Sequence, residues 1–138
     1  MTAMENNKVD GTMINRGVVM EIIKNEDWRG VARYLRELKE DLRRGFERLN
    51  ECLTCPPNSM FCSEVRKLVE SYNRALVAVL MLKCFLNEAL GIAEDERVKQ
   101  ELGEVLKVTN DLIAFLNEKH DLVHQLAGKC GLYWGESP

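Results

Sequence analysis

The sequence predicts an all-α protein, an up-and-down four-helix bundle with three long helices and a shorter N-terminal one. Apolar residues recur in steps of three and four along most of the chain, and no segment shows the alternation typical of a strand. The 138 residues include only 3 prolines, so long helices are not interrupted. Hydrophobic residues make up 46% of the chain, enough for a folded core, and one domain over 1–138 is expected.

Two helices are predicted in the first half of the chain. An apolar pattern over about 12–25 predicts a short first helix after a polar lead, 1–11, which we expect to be flexible. Asp27 can then cap a second helix, because its carboxylate can accept from a free backbone N–H of the first turn. The apolar positions of this second helix are Trp28, Val31, Leu35, Leu38, Leu42, Phe46, Leu49 and Leu53.

Pro56 predicts a break before a third helix, which Asn58 or Ser59 can cap. This helix, which we label α3, is predicted over about 59–90 and ends at Gly91. Because short connections join bundle helices, neighbouring helices are expected to run antiparallel.

A fourth helix is predicted over about 94–127, with a bend near Thr109 to Asp111. It ends before Gly128, where a tail, 128–138, is expected to cover the bundle end with Tyr133 and Trp134.

The third helix contains the stretch ALVAVLMLKC, Ala75 to Cys84, in which eight apolar residues precede Lys83. A bundle helix with one apolar stripe has a polar back, so these residues predict a second stripe. Helical spacing places it opposite the main stripe, and its members, which we call the α3 stripe, are Val77, Leu80, Met81 and Cys84.

Three partners can cover the α3 stripe: the first helix, another subunit or a membrane surface. The first helix is short and leaves part of a groove open, and exposed apolar patches mark association sites. We therefore expect an interface with a protein partner of unknown identity, most simply a second copy in an isologous homodimer. Cys84 is expected to be a small buried apolar side chain.

The other four cysteines are expected at one end of the bundle, together with His120 and His124, and are Cys52, Cys55, Cys62 and Cys130. Three states are compatible with this layout. The cysteines can be free thiols; they can form disulfides, for instance Cys52 or Cys55 with Cys62 and Cys130 with another partner; or they can hold a structural zinc. The zinc signal is weak, because two prolines follow the CxxC pair where a glycine is usual.

No residue pattern in the chain predicts catalysis. GxSxG and phosphate-binding glycine loops are absent, and Glu94, Asp95 and Glu96 lie at a helix start, where carboxylates complement the helix dipole. A non-enzymatic protein without cofactor or metal is expected. Nucleic-acid binding is the alternative, through an arginine-rich face of the second helix formed by Arg33, Arg36, Arg43 and Arg44.

The charge and the apolar runs indicate where the protein works. A formal net charge of -3 provides no general attraction to nucleic acid. The N-terminus lacks the apolar core of a signal peptide, and the apolar run that ends at Lys83 is too short for a membrane span. A cytoplasmic protein without membrane contact is expected.

The chain resembles, in style rather than by motif, small helical-bundle proteins encoded by hyperthermophilic archaea or their viruses. The shared features are many Lys, Arg and Glu, only two Gln, and cysteines in a chain expected to be cytosolic; the 10 Asn do not fit. The resemblance implies that intracellular disulfides are plausible, and that the protein is an interaction or assembly module.

Overall fold

The computed structural model describes residues 16–132 of the protein. Within this range the chain forms helices and no strand, which confirms the all-α prediction. The helices are α1 (Arg16–Asn25), α2 (Trp28–Asn50), α3 (Ser59–Ile92), α4 (Glu96–Glu118) and α5 (His120–Lys129). The predictions for the lead 1–11, for residues 12–15 and for Tyr133 and Trp134 lie outside the described residues.

Side-chain caps begin the three long helices. The carboxylate of Asp27 accepts from the backbone N–H of Gly30 at 3.1 Å, and the amide oxygen of Asn58 accepts from that of Phe61 at 2.8 Å. Asp95 caps α4 in the same way. Each cap satisfies a backbone donor that the first turn of a helix leaves without a partner. The predicted starts of α2 and α3 are therefore confirmed, and α4 begins two residues later than predicted.

The predicted fourth helix is two helices, α4 and α5, separated at Lys119. Helix α4 is continuous through Thr109, whose buried hydroxyl donates to the carbonyl of Val105 at 2.7 Å, and the expected bend there stays a prediction. Helix α5 ends at Lys129, two residues beyond the predicted end near 127. Gly131 adopts the left-handed φ of 69°, and the N–H of Leu132 bonds back to the carbonyl of Ala127, which ends α5.

The other helix ends differ by a few residues. Helix α2 ends at Asn50, since the N–H groups of Cys52 and Leu53 bond three residues back and tighten the chain into turns. Helix α3 continues through Gly91 to Ile92, and Ala93 then becomes extended.

The core lies where α4 packs against both α2 and α3. Phe46 of α2 contacts Tyr72 of α3 edge to face at 6.0 Å between ring centroids, and Phe115 of α4 at 6.2 Å. At this end α2 and α3 also approach closely, because a Cβ atom on Gly45 would lie 3.2 Å from Leu68 Cδ1.

At the other end of the core, α1 joins the bundle through α3 and Trp28. The indole N–H of Trp28 donates to the carbonyl of Ile23 at 3.1 Å, and its ring stacks on Phe85 at 6.1 Å between centroids. Val19 and Ile23 bury the inner face of α1. The short helix is therefore held at the end of α3 that lies beside the start of α2.

Candidate protein–protein interface

The α3 stripe lies on the outside of the described structure. Val77 is 58% exposed, Leu80 46% and Met81 68%, and Cys84 is exposed as well. The opposite side of the helix, with Ala75, Val79 and Leu86, is buried in the core. Helical spacing thus predicted the face correctly, whereas the expected burial of Cys84 is wrong because this face has no neighbour within residues 16–132.

Helix α1 does not cover the α3 stripe. Its residues Met20 and Ile23 line a hollow with Ile92 and Val98, which places α1 at the C-terminal end of α3. The explanation in which the first helix covers the stripe therefore fails for residues 16–25, the part of that helix that the structure describes.

An apolar hollow of about 440 Å³ between α2 and α3 adjoins the α3 stripe. Tyr34, which is 62% exposed, lines this hollow together with Val31, Leu38, Ala78 and Leu82. Sequence reasoning missed Tyr34, although it lies three residues after Val31 and four before Leu38, the spacing that places residues on one helical face.

Charged residues border the α3 stripe at both ends. Arg74 lies 3.9 Å from Glu70 in an exposed pair within the same helix. Glu88 is exposed and forms no ion pair with any residue in 16–132. An apolar centre with a polar rim is the usual organisation of a protein–protein contact surface.

The cysteines form two disulfide bonds, Cys52 with Cys55 and Cys62 with Cys130. Their Cα atoms are 4.9 Å and 5.5 Å apart. The suggested bond from Cys52 or Cys55 to Cys62 is wrong, because Cys52 and Cys55 share one turn while the first turn of α3 meets the end of α5.

Because the sulfur atoms of these four cysteines are joined in disulfides, they are not present as the thiolates that a zinc site would need. Within residues 16–132 no three His, Cys, Asp or Glu side chains are grouped to hold a metal ion. His120 and His124 lie together, with ring centroids 4.6 Å apart.

The arginine-rich face of α2 is largely neutralised by carboxylates. Arg36 bonds to Glu104 of α4 at 2.6 Å, Arg44 to Asp41 at 3.2 Å, and Arg43 to both Glu40 and Glu47. The hydrogen bond from Arg43 to Glu40 lowers the pKa of Glu40 and raises the pKa of Arg43. Of the four predicted arginines only Arg33 lacks a carboxylate partner in the described part of the chain.

By length and composition, one helix in the described range, α3, could cross a membrane. The expectation that no segment is long enough is too strict, because apolar residues continue beyond Lys83. A core helix of a soluble protein meets the same criteria, so this is weak evidence for a span.

Comparisons with known proteins identify no relative of this chain. No protein-family model, curated protein or solved structure matches this chain.

Proposed function

We propose that the protein is a non-enzymatic assembly module that self-associates as a homodimer through the α3 stripe. The observation that carries this proposal is the exposure of Val77, Leu80 and Met81 in the middle of a helix whose other side is core. Full burial of an exposed side chain of this type contributes about 1.5–3 kcal/mol, and because these three are only 46–68% exposed, each would contribute roughly half of that. Contact between two copies would remove six such side chains from water at once.

A second copy is the simplest partner, because a stripe on a long helix can pack against itself around a two-fold axis. Helix α3 has 34 residues and is about 50 Å long, so the stripe occupies only part of its outer side. The stripe is only about 10 Å long. Small interfaces of this kind belong to transient complexes, so we expect an association that depends on concentration.

The experiment is the mass of the purified protein by light scattering over a range of concentrations, in buffer without detergent. We expect a dimer at high concentration. Leu80→Glu should produce a monomer that melts at the same temperature as wild type measured at a concentration where wild type is monomeric, because the new charge is desolvated only in the dimer.

Asn110→Glu is the matched control, since it adds the same charge at an exposed position of α4, outside the stripe. It should leave the dimer intact. A wild-type protein that remains monomeric at all concentrations would refute the proposal.

Nucleic-acid binding through α2 is the less favoured function, because three of its four arginines bond to carboxylates. The cytoplasmic location stays a prediction that depends on the origin of the protein. Disulfides persist in oxidising compartments and in intracellular proteins of hyperthermophiles, so a cytoplasmic location requires the hyperthermophilic origin that the sequence style implies.

A further inference from the structure

The α3 stripe has the same spacing in both chain directions. Its members follow one another by three, one and three residues, so its midpoint lies between Leu80 and Met81. When two copies of α3 are placed antiparallel around that midpoint, Leu80 lies beside Leu80 of the other copy on one flank of the stripe, and Met81 lies beside Met81 on the other flank. Val77 then faces Cys84, so that a small side chain meets a small one and a long side chain meets a long one.

The charges at the rim distinguish this arrangement from a parallel one. At 100° per residue, Arg74 and Glu88 lie on the same flank of the stripe, about 10 Å and 11 Å to either side of its midpoint. A two-fold axis that makes the helices antiparallel exchanges the two ends but keeps the flank. Arg74 of each copy therefore lies beside Glu88 of the other, and two opposite-charge pairs form.

A parallel two-fold axis would place each residue at the same height as its own copy but would exchange the flanks. Arg74 of one copy and Glu88 of the other would stay about 21 Å apart along the helix axis, so no opposite-charge pair would form. Within its own chain Glu88 has no cationic partner in residues 16–132, and Arg74 has only the 3.9 Å contact with Glu70. Both charges are therefore available to a second copy.

We infer that two copies of the protein pair antiparallel through α3, around a two-fold axis between Leu80 and Met81, with Arg74 of each copy beside Glu88 of the other. This inference rests on the proposed self-association. The crossing angle is close to the 20° of bundle helices, because a steeper crossing would separate the charges near the ends of the stripe. The core of each copy lies on the far side of its α3 helix, so the two bodies face away from each other.

Disulfide trapping tests the orientation, because Cys84 is the only cysteine outside the two disulfides and lies on the stripe. In the antiparallel pair the two Cys84 residues are about 10 Å apart, too far for a bond that needs Cβ atoms about 3.8 Å apart. Val77→Cys places a new thiol opposite the partner's Cys84.

On mild oxidation at a concentration where the dimer forms, we expect the Val77→Cys variant to become a covalent dimer on a non-reducing gel. Wild type should remain non-covalent, and so should the double variant Val77→Cys with Cys84→Ser. In a parallel pair, wild type and the double variant would both become covalent dimers. Wild type would be joined through Cys84, and the double variant through position 77.

Light scattering on the same samples separates the two proposals. A dimer by mass that is trapped only in the Val77→Cys variant supports the antiparallel pair. A dimer trapped in wild type, or one not trapped in Val77→Cys, overturns the orientation and leaves self-association standing. A monomer at every concentration overturns both.

Charge exchange provides a second readout without new cysteines. Arg74→Glu or Glu88→Arg alone should weaken the dimer roughly 2- to 10-fold, because each creates two like-charge contacts. The double exchange should restore the affinity to within about two-fold, since both pairs form again with their signs reversed. Absence of this rescue would contradict the antiparallel arrangement.

Discussion

The hydroxyl group of Tyr72 on α3 donates a hydrogen bond to the backbone carbonyl of Leu116 on α4, over 2.8 Å and away from water. Leu116 lies in the last turn of α4, where carbonyl groups lose their helical partners. The same carbonyl also accepts from the N–H of Lys119, which is shared with the carbonyl of Phe115 four residues back. Tyr72 thus satisfies a carbonyl at the end of α4.

Removing this hydroxyl should destabilise the protein without disturbing its packing. We expect Tyr72→Phe to lower the free energy of unfolding by about 1 kcal/mol, the usual contribution of a buried hydrogen bond. Urea denaturation followed by circular dichroism measures the change. Tyr34→Phe removes a hydroxyl from an exposed ring and should have no effect, and equal losses in both variants would contradict the assigned role of Tyr72.

Burial also raises the pKa of Tyr72, with a consequence at alkaline pH. The folded protein keeps this proton at a pH where the unfolded chain releases it. Its contribution to stability is therefore complete below about pH 10 and is lost as the pH rises through the folded-state pKa. The difference in stability between wild type and Tyr72→Phe should consequently shrink as the pH rises above about 10.

The two disulfides should differ in their contribution to stability. The Cys62–Cys130 bond closes a loop with a sequence separation of 68, and the Cys52–Cys55 bond one of 3. In the chain-entropy account these loops correspond to about 4 kcal/mol and about 2 kcal/mol. Replacing the first pair by alanines should lower the melting temperature by about 12 °C, and replacing the second pair by about 6 °C.

Calorimetry on the two double-alanine variants checks this order, with the fully reduced wild type as a reference. If the variant that lacks the Cys52–Cys55 bond is the less stable one, the Cys62–Cys130 bond between α3 and α5 is not the main covalent constraint on the bundle. Since neither disulfide lies on the α3 stripe, dimer formation should persist in both variants below their melting temperatures.

Ion pairing on α2 predicts weak binding to polyanions. Because Arg36, Arg43 and Arg44 bond to carboxylates, we expect wild type to pass through a heparin column at about 0.15 M salt. Neutralising the partner acids should release Arg36 and Arg43 and cause retention that falls with salt. The variant for this test combines Glu40→Gln, Glu47→Gln and Glu104→Gln.

A control with the same net charge isolates the role of these pairs. Three exposed acids away from the arginine-rich face are changed in it: Glu21→Gln, Asp111→Asn and Glu118→Gln. This control should pass through the column as wild type does. Strong, salt-dependent retention of wild type itself would favour the nucleic-acid function over the assembly module.

Local patterns in the sequence were sufficient to predict the helices and the face of the stripe. Asp27 and Asn58 predicted the starts of α2 and α3, because a cap acts on backbone donors two or three residues away. The common face of Val77, Leu80 and Met81 follows from the period of the helix alone. These features depend only on residues within about one or two turns of each other.

The tertiary structure decided what depends on distant residues. Only the packing of α3 on α4 brings Tyr72 to Leu116, 44 residues away, and so this hydrogen bond could not be predicted from neighbouring residues. The pairing of Cys62 with Cys130 and of Arg36 with Glu104, and the exposure of Cys84, have the same origin. The sequence by itself determined the helices and their faces, because these follow from local hydrogen bonding and periodicity. Which faces meet was decided only when the packed core brought distant residues into contact.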